Sequence, residues 1–122
     1  KNIERNNQFE GSEKIKKVHD FLNENYARKI SLHEISDLVN MSQSSFNRFI
    51  KKRTGKTFIE FTNDTRISYA TKFLVETDLS IGEIGYKCGF NSIANFNRFF
   101  KKSKNITPSK FKSEFKSIQR FK

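Results

Sequence analysis

A short motif of phenylalanine, asparagine and arginine occurs twice in the chain, and its residue types suit contact with DNA. Phe46-Asn47-Arg48-Phe49 recurs as Phe96-Asn97-Arg98-Phe99, and two lysines follow each copy. In the major groove, asparagine pairs well with the edge of adenine and arginine with that of guanine, whereas lysine suits phosphate groups. The repeated motif therefore indicates two surfaces that recognise double-stranded DNA.

Each copy of the motif has two distinct faces if it lies on a helix. At about 100° per residue, the aromatic residues fall on one face and the arginine with the first lysine on the other. The predicted inward residues are Phe46, Phe49 and Ile50, then Phe96, Phe99 and Phe100. The predicted outward residues are Ser44, Arg48 and Lys51, then Ala94, Arg98 and Lys101. A helical repeat with merely polar outer faces gives no reason for both Asn-Arg pairs to recur at equivalent places.

The elements that would position these motifs are marked by helix signals. Serine or threonine followed three residues later by glutamate predicts a capped helix start, and this pattern occurs at Ser31–Glu34, Thr57–Glu60 and Ser80–Glu83. Ser42, and Asn91 or Ser92, are candidate N-caps of the motif-bearing helices, and Gly55 and Asn105 are predicted to end them. Thr107 with Pro108 predicts the start of a last helix.

Asn40 and Gly89 lie between the paired helices of each copy, and both residue types readily adopt a left-handed backbone. A capped helix, a tight turn and a second capped helix form a helix-turn-helix. We therefore predict an all-α fold of about seven helices, with two helix-turn-helix subdomains joined by a long central helix. The expected divisions are a linker or tail at 1–11, subdomains at 12–56 and 78–118, a connecting helix at 57–77 and a tail at 119–122.

The charge of the chain points to a polyanionic partner. Lysine and arginine number 24 against 13 acidic residues, which gives a formal net charge of +11. Residues 46–56 contain five basic residues and no acidic one, and residues 98–122 contain nine against a single glutamate. Two separate basic clusters on a small domain favour contact with a polyanion at two places, although a basic solvated surface is the alternative.

Few residues suit other chemistry. The chain has one cysteine, Cys88, and two distant histidines, His19 and His33, which excludes a disulfide framework and a zinc site. Cys88 is expected to be a small buried residue rather than a redox sensor. No nucleophile with a matching base, no glycine-rich phosphate loop and no carboxylate pair can be assembled. We expect neither enzymatic activity nor a cofactor.

Taken together, the motifs resemble the DNA-binding domain of the AraC/XylS family of bacterial transcription regulators. The similarity covers about residues 12–116, and its parts are Ile30–Gly55, Arg66-Ile67-Ser68-Tyr69-Ala70, Ser80–Ile84, Gly89-Phe90, Phe99–Lys102 and Thr107-Pro108. The departures are Gly85 for the usual alanine, Asn95 for tyrosine, Asn105 for glycine and Lys112 for arginine. A glycine at position 85 should weaken its helix by up to ~1 kcal/mol.

This resemblance implies that two recognition helices enter successive major-groove segments on one face of the DNA. The base contacts carried over by position are Ser44, Asn47, Arg48, Ala94, Asn95, Asn97 and Arg98. The phosphate contacts carried over are Ser42, Lys51, Lys52, Ser92, Lys101 and Lys102. Ile93 could meet a thymine methyl group or pack against the core, and both roles stay open here.

The resemblance also implies partners beyond DNA. Family members usually carry a separate effector-binding or dimerisation domain, which we expect to precede residues 1–11, since the chain starts with lysine rather than methionine. Activators of the family also contact RNA polymerase. A bacterial cytoplasmic location follows from the same resemblance.

Two other functions are compatible with the residues. An architectural protein would grip phosphates and bend DNA without selecting bases. A helical module for protein interaction would bind DNA negligibly, and its outward Asn-Arg pairs would be dispensable. Replacing Arg48 or Arg98 distinguishes a sequence-specific protein from an architectural one. Only the sequence-specific protein would lose its preference at particular base pairs, whereas the architectural protein would bind all sequences more weakly.

Overall fold

The computed structural model describes residues 2–120, with side chains described for residues 9–119. These residues form seven helices and no strand. The helices are α1 (Asn2–Asn25), α2 (Leu32–Leu38), α3 (Gln43–Thr54), α4 (Phe58–Glu76), α5 (Ile81–Lys87), α6 (Ile93–Lys104) and α7 (Pro108–Arg120). The predicted all-α class with two helix-turn-helix subdomains is confirmed. Within the described residues, no helix has the length and apolar character needed to cross a membrane.

The chain divides into two compact units. Unit 1 comprises the residues up to Asn25 together with Ile30–Phe61, and unit 2 comprises Tyr26–Lys29 with the residues from Thr62 onward. Helix α4 begins in unit 1 and continues into unit 2. Thr57 and Glu60 cap its start reciprocally, since each backbone N–H donates to the side chain of the other, at 3.0 and 3.2 Å.

Unit 1 is a helix-turn-helix packed on α1. Its core is made of apolar side chains from α1, α2, α3 and the first turn of α4, and includes Val18, Leu22, Ile35, Phe46, Ile50 and Phe58. The predicted N-caps Ser31 and Ser42 accept hydrogen bonds from Glu34 N and Ser45 N. Asn40 adopts the expected left-handed backbone in the turn, with a φ of 57°.

Unit 2 repeats this arrangement with a larger aromatic content. Its core includes Ile67, Ala70, Leu74, Ile84, Phe96 and Phe100. Ser80 and Ser92 cap α5 and α6, and Asn105 ends α6 in the left-handed conformation that glycine adopts at the end of α3. Lys112, which departs from the family pattern, donates to the Leu79 carbonyl oxygen at 2.8 Å and so ties α7 to the start of α5.

The helix bounds at both ends of the chain differ from those that the sequence predicted. Helix α1 begins at Asn2 rather than Ser12, so residues 2–11, which were expected to form a linker or tail, are helical. Gly11 does not interrupt the helix, since a single glycine costs only about 1 kcal/mol there; the Arg53 guanidinium lies against it and donates to Ser12 Oγ at 2.8 Å. At the other end α7 includes residues 119 and 120, which were expected to form a tail. Residues 1, 121 and 122 lie outside the described part of the chain.

Gly85 has a packing role that helix propensity does not reveal. It is buried, and a Cβ at this position would lie 2.9 Å from Phe96 Cδ2 and 3.0 Å from Phe96 Cγ. Contacts this short require the fully buried Phe96 ring to move. The glycine therefore allows close packing of α5 on α6, which offsets the weaker helix propensity expected from the sequence.

Cys88 is fully buried in the core of unit 2, as predicted. Burial raises the pKa of its thiol from the ordinary value of 9.0 to about 11, although Lys87 and Arg66 act in the opposite direction. At pH 8 the thiolate fraction of the folded protein should be roughly 100-fold below that of the unfolded chain. We expect Ellman's reagent to label the native protein far more slowly than the urea-unfolded protein. Equal labelling rates would contradict the burial.

Candidate nucleic-acid interface

Helix α3 presents the first predicted set of DNA contacts on one exposed surface. Phe46 and Ile50 are fully buried, while Ser44, Asn47, Arg48, Lys51 and Lys52 are exposed. The Ser42 hydroxyl that caps the helix lies at its N-terminal end, before these side chains. Since α3 contains no acidic residue, the charged groups on its outer face are all positive, which favours anions near this surface.

Helix α6 places the second set in the same order. Phe96 and Phe100 are fully buried, Ala94 and Arg98 are exposed, and Asn95 and Asn97 are half-buried. Lys101 and Lys102 follow in the exposed last turn, and α6 also lacks acidic residues. The structure therefore brings together each predicted group on its own helix, although two asparagines are less accessible than the outward pattern suggested.

The serines predicted to contact phosphates also act as helix caps. Ser42 Oγ accepts from Ser45 N at 3.2 Å, and Ser92 Oγ accepts from Asn95 N at 3.1 Å. A hydroxyl that accepts one bond still has its own hydrogen to donate. Both serines can therefore cap their helices and donate to a phosphate oxygen at a helix N-terminus, where anions are favoured.

The two arginines are held differently. Arg98 Nη2 donates to Asn95 Oδ1 at 3.0 Å, and the Arg98 guanidinium carbon lies 5.1 Å from the centre of the Phe99 ring. Arg48 Nη2 is 3.5 Å from Ser45 Oγ, at the outer limit of a hydrogen bond. The guanidinium of the second recognition helix is thus the more firmly oriented of the two.

The surroundings of Ile93 are compatible with both roles that the sequence left open. It is 45% exposed. Its Cδ1 atom also lies so near α5 that a Cβ at Gly82 would be only 3.0 Å away. Ile93 therefore packs partly against α5 and still presents apolar surface beside Ala94.

The structural role of Arg66 was not predicted from the sequence, although Arg66 is the first residue of a motif shared with the AraC/XylS family. Arg66 Nε donates to the Tyr26 carbonyl oxygen at 2.9 Å, and Nη2 donates to the Arg28 carbonyl oxygen at 3.0 Å. Desolvation lowers the pKa of this half-buried guanidinium. Within unit 2 the residue fastens Tyr26–Lys29 to α4, and Tyr26 also stacks on Tyr69 with ring centres 4.0 Å apart. These two carbonyl partners lie 40 and 38 residues before Arg66, so no local sequence pattern could have identified them.

The two histidines have ordinary structural surroundings. His19 lies against Phe61, with ring centres 4.8 Å apart, and His33 Nε2 is 3.2 Å from Asp37 Oδ2. Among the residues whose side chains are described, no cluster of three or more His, Cys, Asp or Glu could hold a metal ion.

Comparison with known proteins places the chain among transcription regulators. A family model described as a helix-turn-helix domain matches residues 35–114. The bifunctional transcriptional activator and DNA repair enzyme AdaA of Bacillus subtilis is 28% identical over 107 residues, which are 88% of this chain and 51% of AdaA. This chain thus spans about half the length of that relative.

Solved structures agree with this assignment. An AraC-type transcriptional regulator from Chromobacterium violaceum superposes with a TM-score of 0.80 at 25% identity, over 85% of this chain and 93% of that one. The DNA-binding domain of AdpA, a global transcriptional factor crystallised with a target DNA, gives a TM-score of 0.78 at 19% identity, over 84% and 93% of the two chains. At that identity the second likeness supports the fold alone.

Proposed function

Because the chain belongs to the AraC-type helix-turn-helix family of bacterial DNA-binding transcription regulators, we propose that α3 and α6 recognise bases in two successive major-groove segments of one duplex. The observation that carries this proposal is the equivalent order of groups along the outer faces of the two helices, all of which are exposed except the half-buried Asn97. On each, a small residue is followed by an Asn-Arg pair and then by two lysines, opposite buried phenylalanines.

The residue types assign the contacts within each segment. Arg48 and Arg98 donate to O6 and N7 of guanine, and the neighbouring Asn47 and Asn97 suit the N6 and N7 atoms of adenine. The small Ser44 and Ala94 side chains allow each helix to lie deep in the groove. Phosphates are contacted by the cap hydroxyls of Ser42 and Ser92 and by Lys51, Lys52, Lys101 and Lys102.

Neither alternative function explains the chain as well. An architectural protein has no need of an Asn-Arg pair at equivalent positions of both helices, and a protein-interaction module has no need of two acid-free basic faces. The domain itself is proposed to have no enzymatic activity, since the match to AdaA lies mainly in its helix-turn-helix region.

The full protein is proposed to contain a further domain for an effector or for dimerisation, because the match to this chain covers only 51% of the relative AdaA. Contact with RNA polymerase is proposed for the case in which the protein activates transcription, as AdaA is described to do. A cytoplasmic location is proposed, because a DNA-binding regulator of a bacterium acts where the chromosome lies.

The roles of arginine and lysine are tested by selecting binding sites from a randomised duplex library for the wild type and four variants. Arg48→Ala and Arg98→Ala should each lower the preference for guanine at one base pair by about tenfold, in different halves of the site. Lys51→Ala and Lys101→Ala should leave the selected motif unchanged and weaken binding to all duplexes. Each lysine variant should also make the negative slope of log K against log salt concentration shallower by about one.

The lysine variants are the matched controls, since each removes one positive charge from the same helix as the arginine. If the arginine variants also weaken all sequences equally and leave base preferences intact, the assignment of Arg48 and Arg98 to bases is wrong. Circular dichroism of each variant checks that the helices are retained.

A further inference from the structure

A chain of side-chain hydrogen bonds runs along the start of α6. Asn95 Nδ2 donates to Asn91 Oδ1 at 2.8 Å, and Asn95 Oδ1 accepts from Arg98 Nη2 at 3.0 Å. A guanidinium group has donors and no acceptor, so the carboxamide oxygen must face Arg98. That requirement turns the amide group of Asn95 toward Asn91.

This arrangement uses one N–H donor and one oxygen lone pair of Asn95 and fixes the direction of its carboxamide along the helix, away from the orientation that a bidentate contact with adenine would select. The bidentate contact of asparagine with adenine uses the carboxamide oxygen for N6 and the amide group for N7. Asn95 is also half-buried, whereas Arg98 is exposed. The sequence placed Asn95 among the base contacts, but its hydrogen bonds and its burial suit a different task.

We propose that Asn95 is a positioning residue that holds the Arg98 guanidinium for a guanine in the second half of the site. The inference rests on the proposed function, in which Arg98 contacts a base. Asn95 uses one of the five N–H donors of the guanidinium, which leaves enough for a bidentate contact with O6 and N7. A long side chain that is already oriented loses less conformational freedom when it binds. The Phe99 ring beside Arg98 restricts the same group.

The first recognition helix lacks an equivalent support of the same quality. Ser45 occupies the position three residues before Arg48, as Asn95 does before Arg98, but its hydroxyl lies 3.5 Å from Arg48 Nη2. The shorter serine side chain does not bring its oxygen to the usual bonding distance. The second half of the DNA site should therefore select its guanine more strictly than the first.

A double-mutant cycle tests the inference on duplexes taken from the wild-type selection. Affinity is measured for the selected duplex and for a duplex in which the guanine assigned to Arg98 is replaced. The proteins are the wild type, Asn95→Ala, Arg98→Ala and the double variant. Asn95→Ala should lower the preference for guanine roughly fivefold, as expected for the loss of one hydrogen bond. In the Arg98→Ala background the same change should have no effect on base preference.

Two further variants separate positioning from a general structural role. Ser45→Ala is the matched control on α3 and should change the preference at the Arg48 guanine by less than about twofold, because the bond it removes is weak. Asn95→Asp keeps an oxygen acceptor for Arg98. It should therefore retain the guanine preference, while its added negative charge weakens binding to all duplexes.

Failure of the positioning role and failure of the proposed function give different results in these experiments. If Asn95→Ala alters preference at a base pair other than that of Arg98, or acts equally in both backgrounds, Asn95 contacts a base directly and the positioning role is wrong. If Arg98→Ala itself leaves all base preferences unchanged, the proposed function of Arg98 fails first. Thermal unfolding of Asn95→Ala should match that of the wild type, because the Ser92 cap uses the backbone N–H of residue 95 and not its side chain.

Discussion

Gly89→Ala is expected to lower the free energy of unfolding by about 3 kcal/mol or more, through strain and a steric clash together. Gly89 has a φ of +98°, a backbone conformation that residues with a Cβ rarely adopt. A Cβ at this position would also lie 2.5 Å from the Tyr26 carbonyl oxygen and 2.8 Å from Arg66 Nε. The backbone oxygen cannot move aside as the end of a flexible side chain could.

Gly55→Ala is the matched control for this prediction. Gly55 has a similar positive φ of +77°, but nothing lies within 4 Å of a Cβ built there. Its replacement should therefore cost only the conformational part, about 1 kcal/mol. Urea unfolding followed by circular dichroism measures both variants. Equal losses of stability would show that the approach of Tyr26 and Arg66 to Gly89 contributes nothing.

Arg66→Met is expected to lower the free energy of unfolding by about 2–3 kcal/mol, because two carbonyl groups lose a charged donor. Methionine preserves much of the apolar stem, so the loss reports mainly on the hydrogen bonds to the carbonyl oxygens of Tyr26 and Arg28. Arg66→Lys should recover only part of the stability, because one ammonium group does not reproduce the forked geometry of the guanidinium.

The control for Arg66 is Lys72→Met, which removes a positive charge from an exposed position on the same helix. It should change stability by no more than about 0.5 kcal/mol. Urea unfolding again provides the measurement. If Arg66→Lys is as stable as the wild type, the charge alone matters and the paired hydrogen bonds do not explain the role of Arg66.

Local sequence signals predicted most of the helix boundaries because their physics is local. Each capping serine or threonine bonds within one helical turn, as Ser31 does with Glu34, so its effect can be recognised in a few residues. Asn40 and Gly89 mark turns for an equally local reason, their tolerance of positive φ. The inward and outward faces of α3 and α6 followed from helical periodicity alone.

The errors arose where distant residues decide the outcome. Helix α1 continues through Gly11, where its packing partner Arg53 lies 41 residues beyond Ser12. The close packing of Gly85 on Phe96 likewise depends on the approach of two helices, which helix propensity does not describe. Which bases the predicted residues contact stays a prediction.

The central claim is that one chain recognises an asymmetric DNA site with two helices. The most direct measurement is selection of duplexes from a randomised library by the wild-type protein, together with the stoichiometry of the complex. We expect a motif of two different blocks, separated by about one helical turn of roughly 10 base pairs, bound by a single chain. Salt-dependent binding with no enriched motif, or a single enriched block, would contradict the claim.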